Sequence, residues 1–240
     1  MVSEISGFEL NLFFILTIIL LVVKGTLSIY LGKKIFDRKK ESGKWSLDFI
    51  TAFFILIVCL FVSRLIYMYF DFVLTRFDPD TYYLMPNVLV WKMAGIFGSV
   101  GIAVVLFTLD KKALKFKLKG IPAWYTLSVE IIVFILPVNS REDFVFISAL
   151  GILGSISSLL VLIIFLYIGI KIPGLRKPSF MLLTGLIIYI VGAALFNEFV
   201  VSTLIGLYGE QFRVMAYTLF MVLKIAGLII VAFSVTKFSI

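Results

Sequence analysis

Two stretches of the chain place a cation where hydrocarbon is expected. "VLVWKMAGIF" begins at Val88 and carries Lys92, and "FMVLKIAGLI" begins at Phe220 and carries Lys224. Five more ionisable residues lie inside long apolar runs: Lys24, Arg64, Asp71, Glu130 and Glu198. A charge at the centre of a membrane helix costs roughly 2.5–3.5 kcal/mol, so such residues face the interior, paired or lining a polar cavity. Leaving Lys24 aside, the set holds three cations and three anions. It predicts a cavity in which Lys92 and Lys224 attract a small anion, with Glu130 and Glu198 as counter-charges and at least one lysine–glutamate contact. Arg64, Tyr67 and Asp71 share a helical face by i, i+3, i+7 spacing, and Tyr217 and Lys224 share another. Asn197, beside Glu198, completes the candidate set. Lys24 lies roughly 10 Å from the inner edge of its run, within partial reach of a snorkelling stem.

The same composition removes other chemistries. There is no histidine, and Cys59 is the single cysteine. A metal site of the usual His/Cys kind and a Ser-His-Asp or Cys-His nucleophile are therefore excluded. No credible strand precedes a phosphate-binding or dinucleotide-binding glycine motif. Asp71 has no second aspartate inside the runs to make an intramembrane acid pair. The chain is expected not to be an enzyme and to carry no cofactor.

The elements that must position these charges follow from hydropathy. Of the 240 residues, 62% are hydrophobic and 15% charged, and the mean hydropathy is +1.14. Soluble domains are about half apolar and a quarter charged, so a bilayer must solvate the surplus. A spanning helix needs roughly 20 apolar residues. Seven such runs occur, at about 10–31, 48–72, 86–109, 121–138, 144–170, 180–204 and 212–236. They predict an all-α integral membrane protein with seven transmembrane helices, a single multi-pass domain over 1–240 in the cell membrane. "MVSEISGFELN" has acids and no basic segment, so the first run is expected to be a retained helix.

The net charge of +8 is distributed unevenly. Fifteen Lys/Arg follow runs one, three and five or close the chain, and three (Arg76, Arg141 and Arg213) fall on the other side. Cytoplasmic loops carry such an excess, which puts the N-terminus outside and the C-terminus in the cytoplasm. The basic segments "GKKIFDRKKESGKW" and "DKKALKFKLKG" then lie against anionic lipid headgroups at the cytoplasmic face rather than on nucleic acid. In this orientation Arg64, Asp71, Lys92 and Glu198 occupy the outer half, and Lys224 and Glu130 lie near mid-depth.

The two lysine stretches also match each other. "VWKMAGIF" (Val90 to Phe97) aligns with "VLKIAGLI" (Val222 to Ile229), and "YLGKKI" (Tyr30 to Ile35) with "YIGIKI" (Tyr167 to Ile172). Thr51-Ala52 falls on Thr184-Gly185 between them. Helices one to three (8–110) and five to seven (142–240) therefore read as parallel repeats, joined by helix four (120–140). The arrangement resembles the SWEET sugar exporters and the PQ-loop family, built three-one-three with the N-terminus outside. Microbial rhodopsins share the helix count and orientation. The resemblance is architectural, because the Pro-Gln dipeptide of the PQ-loop family is absent and all six prolines lie at run ends or in loops. It implies a site at the interface of the repeats.

Small residues predict close helix contact. Ala94, Gly95, Gly98, Ser99, Gly101 and Ala103 do so in helix three, and Gly151, Gly154, Ser155 and Ser158 in helix five. The contact is within the bundle or, alternatively, in a homo-oligomer or membrane complex. Two functions fit: transport or permeation of a small anionic solute or lipid headgroup, or a receptor, sensor or complex subunit signalling through the basic loops. A minor alternative is a retinal protein linked through Lys224, although Phe220 stands one turn earlier, where microbial rhodopsins place an aspartate.

Overall fold

The computed structural model describes residues 7–43, 45, 47–195, 197–209 and 211–238, apart from the side chains of Ser42, Ser155, Glu198 and Gln211. Met1–Ser6, on which the expectation of a retained first helix partly rests, lie outside the described residues. Every regular element among the described residues is helical. The helices are α1 (Gly7–Ser42), α2 (Phe49–Tyr69), α3 (Asn87–Lys112), α4 (Ile121–Ile135), α5 (Arg141–Ser155), α6 (Leu159–Lys171), α7 (Arg176–Ala194), α8 (Glu198–Tyr208) and α9 (Gln211–Val235). A π-helical turn, Phe70–Leu74, continues α2, and a 3-10 turn, Ile156–Ser158, joins α5 to α6.

Among the described residues, six segments are long and apolar enough to cross a membrane: Gly7–Glu41, Phe49–Leu74, Asn87–Lys112, Arg141–Lys171, Pro173–Ala194 and Phe212–Val235. The fourth expected run forms a helix of 15 residues, about 22 Å at 1.5 Å per residue. The sixth expected run, 180–204, is divided. The helix α7 stops at Ala194 and α8 begins at Glu198, with the Asn197 side chain accepting the Phe199 N–H at 3.0 Å. The basic segment after the first run is helical rather than a loop. Its lysines and arginine are good helix formers, and α1 runs for 36 residues, about 54 Å. Its last turns therefore extend past a hydrocarbon layer of about 30 Å.

Local signals set the ends. The Asp48 carboxylate caps α2 by accepting the Thr51 N–H at 2.9 Å. Ser140 and Asp143 form a reciprocal capping box at the start of α5. Between α3 and α4, Asp110 accepts the N–H groups of Leu118 (3.0 Å) and Gly120 (2.7 Å), folding the lysine-rich turn back on α3. Gly120 has φ +73°, where a Cβ is disfavoured.

The helices pack in chain order as a closed ring. The helix α1 packs on α2, α2 on α3, α3 on α4, α4 on α5, α6 on α7, α7 on α9, and α9 returns to α1. The most extensive pairings are α2 with α3 and α7 with α9. Both depend on glycine. A Cβ on Gly101 would stand 2.9 Å from the Cys59 Cβ, and one on Gly227 would stand 2.7 Å from the Gly185 carbonyl oxygen. Phe13, Leu20, Phe53, Ile57, Leu106 and Met221 fill the centre. The outer faces carry Val22, Ile29, Ile163, Ile170 and Phe233, all at least half exposed. Apolar surface on every side is what a bilayer covers.

Candidate functional site

The helices line a cavity of about 210 Å³. Its charged lining is Lys24 from α1, Arg64 from α2, Asp71 from the π-helical turn and Lys224 from α9. Arg64, Tyr67 and Asp71, which share a helical face, all line it. The Arg64 guanidinium is 4% exposed and donates through Nη1 to Asp71 Oδ2 at 3.1 Å. Its Nη2 donates to Thr17 Oγ1 at 2.8 Å and to the Tyr217 hydroxyl. Thr17 and Tyr217 share a hydrogen bond of 2.7 Å. Four elements are thus tied at one guanidinium, since Thr17 belongs to α1, Tyr217 to α9 and Asp71 to the turn after α2. Arg64 Nε, also buried, has no hydrogen-bond partner among the described residues.

Lys224 is held differently. Its Nζ stands 4.3 Å from the centroid of the Phe220 ring and 5.3 Å from that of Tyr189. Phe220 lies one turn before Lys224, so the ring sits directly beneath the stem. Cation–π attraction steadies the ammonium at about 0.5–2 kcal/mol and leaves its three N–H donors available. No carboxylate among the described side chains pairs with it. Lys24, 2% exposed, donates to the Leu60 carbonyl of α2 at 2.7 Å. It points into the bundle rather than snorkelling to the inner edge.

Lys92 does not join this cavity, which corrects the expectation that the two lysines face one volume. Its Nζ donates to the Phe134 carbonyl at 3.2 Å and the Leu136 carbonyl at 2.6 Å. The cause is the early end of α4: its last carbonyls have no intrahelical partner, carry the negative end of the helix dipole, and lie level with Lys92. Glu130 meets neither lysine. Its Oε2 accepts from Ser99 Oγ at 3.0 Å, and its carboxylate occupies the space where Gly95 lacks a Cβ. The side chain of Glu198 lies outside the described residues. Asn197 lines the cavity, and its amide donates to the Ser148 carbonyl at 3.1 Å.

The rest of the lining is largely aromatic: Phe70, Tyr82, Trp91, Phe144, Tyr189 and Phe220. The Trp91 and Phe144 rings lie 4.9 Å apart, and Tyr82 and Phe144 lie 5.3 Å apart, so the three pack as one aromatic cluster on its wall. Sequence reasoning missed these rings and left Lys24 out of the site. For Phe220 a signal existed, its i−4 position relative to Lys224. Among the described residues, then, three cations and one carboxylate line the cavity. At full ionisation the described lining carries a net positive charge, and its rings present an apolar surface beside it. Comparison with protein-family models, curated proteins and solved structures gives no match.

Proposed function

We propose that the chain is a seven-helix protein of the cell membrane that transports a small organic or inorganic anion through this cavity. The observation that carries the proposal is the surplus of Lys24, Arg64 and Lys224 over Asp71 among the described lining residues. The break between α7 and α8 supports transport in particular. Transporters place interrupted helices at the binding site, and Asn197, in the interruption, lines the cavity. In this proposal α4 crosses as the seventh helix, its apolar stretch lengthened by Leu136 to Val138. The uneven basic charge puts the C-terminus in the cytoplasm and directs the Arg64–Asp71 end of the cavity outwards. The parallel repeat is supported by the equivalent tight pairs α2 with α3 and α7 with α9.

The test is reconstitution of the full chain into liposomes, with radiolabelled phosphate and benzoate as probes. Saturable uptake that is lost in Lys224→Met supports transport. Saturable, Lys224-dependent binding with no uptake replaces it with the receptor or sensor function. If neither probe, nor chloride or sulfate in competition, binds in a Lys224-dependent way, the anion proposal is wrong. A reporter fused after Ile240 should be active only in the cytoplasm, and activity outside would reverse the orientation.

A further inference from the structure

A second cavity, of about 380 Å³, adjoins the first. Phe53 and Leu56 of α2, Ile102 and Val105 of α3, Val161 of α6 and Leu186 of α7 are part of its wall. Leu60, Tyr189, Ala193 and Asn197 line both volumes, so the two meet along these four residues. Their chemistry is opposite. Lys24, Arg64, Lys224 and Asp71 line the first, whereas no charged residue among those described lines the second.

Two local features open the second cavity. The helical run from Arg141 to Lys171 is interrupted by the 3-10 turn at Ile156–Ser158. Gly151, on the wall, contributes no side chain, and a Cβ there would meet nothing within 4 Å. An apolar-lined space of this kind takes hydrocarbon in preference to water. A neutral hydrocarbon alone would not use the adjoining ammonium groups, and a small anion alone would not use the apolar wall. The pair of volumes matches a molecule with both parts, and together they fall within the usual range for ligand sites of roughly 300–1,000 Å³.

We propose that the two cavities form one site for an anionic amphiphile drawn from the membrane, a long-chain carboxylate. Its head lies among Lys24, Arg64 and Lys224, and its aliphatic chain lies between α2, α3, α6 and α7. This rests on the first cavity being an anion site. The chain length supplies affinity, because each buried methylene strengthens binding roughly fourfold. The head supplies selection against neutral lipids, because only an anion is drawn to the Lys224 ammonium, with which no carboxylate among the described side chains pairs.

The experiment tracks the thermal stability of the purified full chain in a neutral maltoside detergent at constant ionic strength. Stabilisation by a ligand that binds the folded state reports its apparent affinity. The probes are acetate, dodecanoate and dodecanol, and partition into micelles is the same for every variant. Dodecanoate should bind roughly a hundredfold or more tighter than acetate, and dodecanol, which has the chain but not the charge, should bind about tenfold or more weaker than dodecanoate. Gly151→Phe and Ile152→Trp, each filling the second cavity from one wall, should weaken dodecanoate about tenfold and leave acetate unchanged. Lys224→Met should weaken both anions. The two-cavity site is overturned if both fillers melt like the parent chain and bind dodecanoate as tightly, or if dodecanol matches dodecanoate, while acetate still depends on Lys224. If neither anion depends on Lys224, the anion site beneath the proposal fails as well.

Discussion

Lys92 and Lys224 stand in matching sequence contexts, each preceding a hydrophobic residue, alanine and glycine. Lys92 spends its donors on the Phe134 and Leu136 carbonyls at the end of α4. Lys224 rests above Phe220 and Tyr189 with its donors towards a cavity. The difference lies in the next helix around the ring. The neighbour after α3 is α4, which ends within the bundle and exposes its terminal carbonyls. The neighbour after α9 is α1, a helix continuous from Gly7 to Ser42, which offers no carbonyl end at that depth. The same residue type is therefore bonded to helix-end carbonyls in one half and, among the described residues, meets only aromatic rings in the other.

The largest expected effect falls on the Arg64–Asp71 pair, which ties the Lys92 half to α9 through Tyr217. Asp71→Asn leaves the Arg64 guanidinium buried without its carboxylate, and breaking a buried pair costs roughly 3–5 kcal/mol. Asp71→Asn should therefore lower the thermal stability of the detergent-solubilised chain sharply, and adding Arg64→Met should recover part of the loss. Equal stability in the single and double variants would show that the pair does not hold α1, α2 and α9 together.

The next effect compares the two tight helix pairs. Gly227→Leu drives a side chain into the backbone of α7, where even a Cβ would meet the Gly185 oxygen at 2.7 Å and the Tyr189 nitrogen at 2.8 Å. Gly101→Ala brings its methyl against the Cys59 Cβ and the Leu56 Cα, at 2.9 and 3.1 Å. Overpacking costs roughly 1–3 kcal/mol. Gly227→Leu should sit at or above the top of that range and Gly101→Ala near the bottom, as read by denaturation midpoints. The reverse order would place the tighter joint in the α2–α3 half.

Lys92→Met should cost about 1–3 kcal/mol, because the carbonyls at the end of α4 lose their charged donor. Binding of small anions should not change. A loss of anion binding in Lys92→Met without loss of stability would join the two lysines in one site after all.

How much of this was legible depends on the physics of each residue. Arg64, Asp71 and Lys224 stood out because a charge in an apolar run needs an explanation, and Tyr67 and Tyr217 came from helical spacing. The aromatic lining was hidden, because Phe, Tyr and Trp are ordinary in any membrane helix. The role of Lys24 was hidden because a lysine stem can reach an interface from its depth, and nothing in the run said that Leu60 would offer a carbonyl instead. The fate of Lys92 depended on where α4 stops. Ile121–Ile135 and the residues to Val138 are apolar alike, so hydropathy does not mark the last helical carbonyl. The break at Leu195–Asn197 has no glycine or proline to announce it. Its one local signal was Asn197, a good N-cap residue.

The central claim is that Lys224, and not its sequence twin, binds an anion. The most direct measurement is the benzoate-dependent rise in melting temperature of the parent chain, Lys92→Met and Lys224→Met, titrated side by side in neutral detergent. The account predicts the same benzoate affinity in the parent and in Lys92→Met, and a loss of roughly tenfold or more in Lys224→Met, since a hydrogen bond to a charged group contributes about 1.5–3 kcal/mol. Equal benzoate affinity in all three proteins, or a loss confined to Lys92→Met, would contradict it.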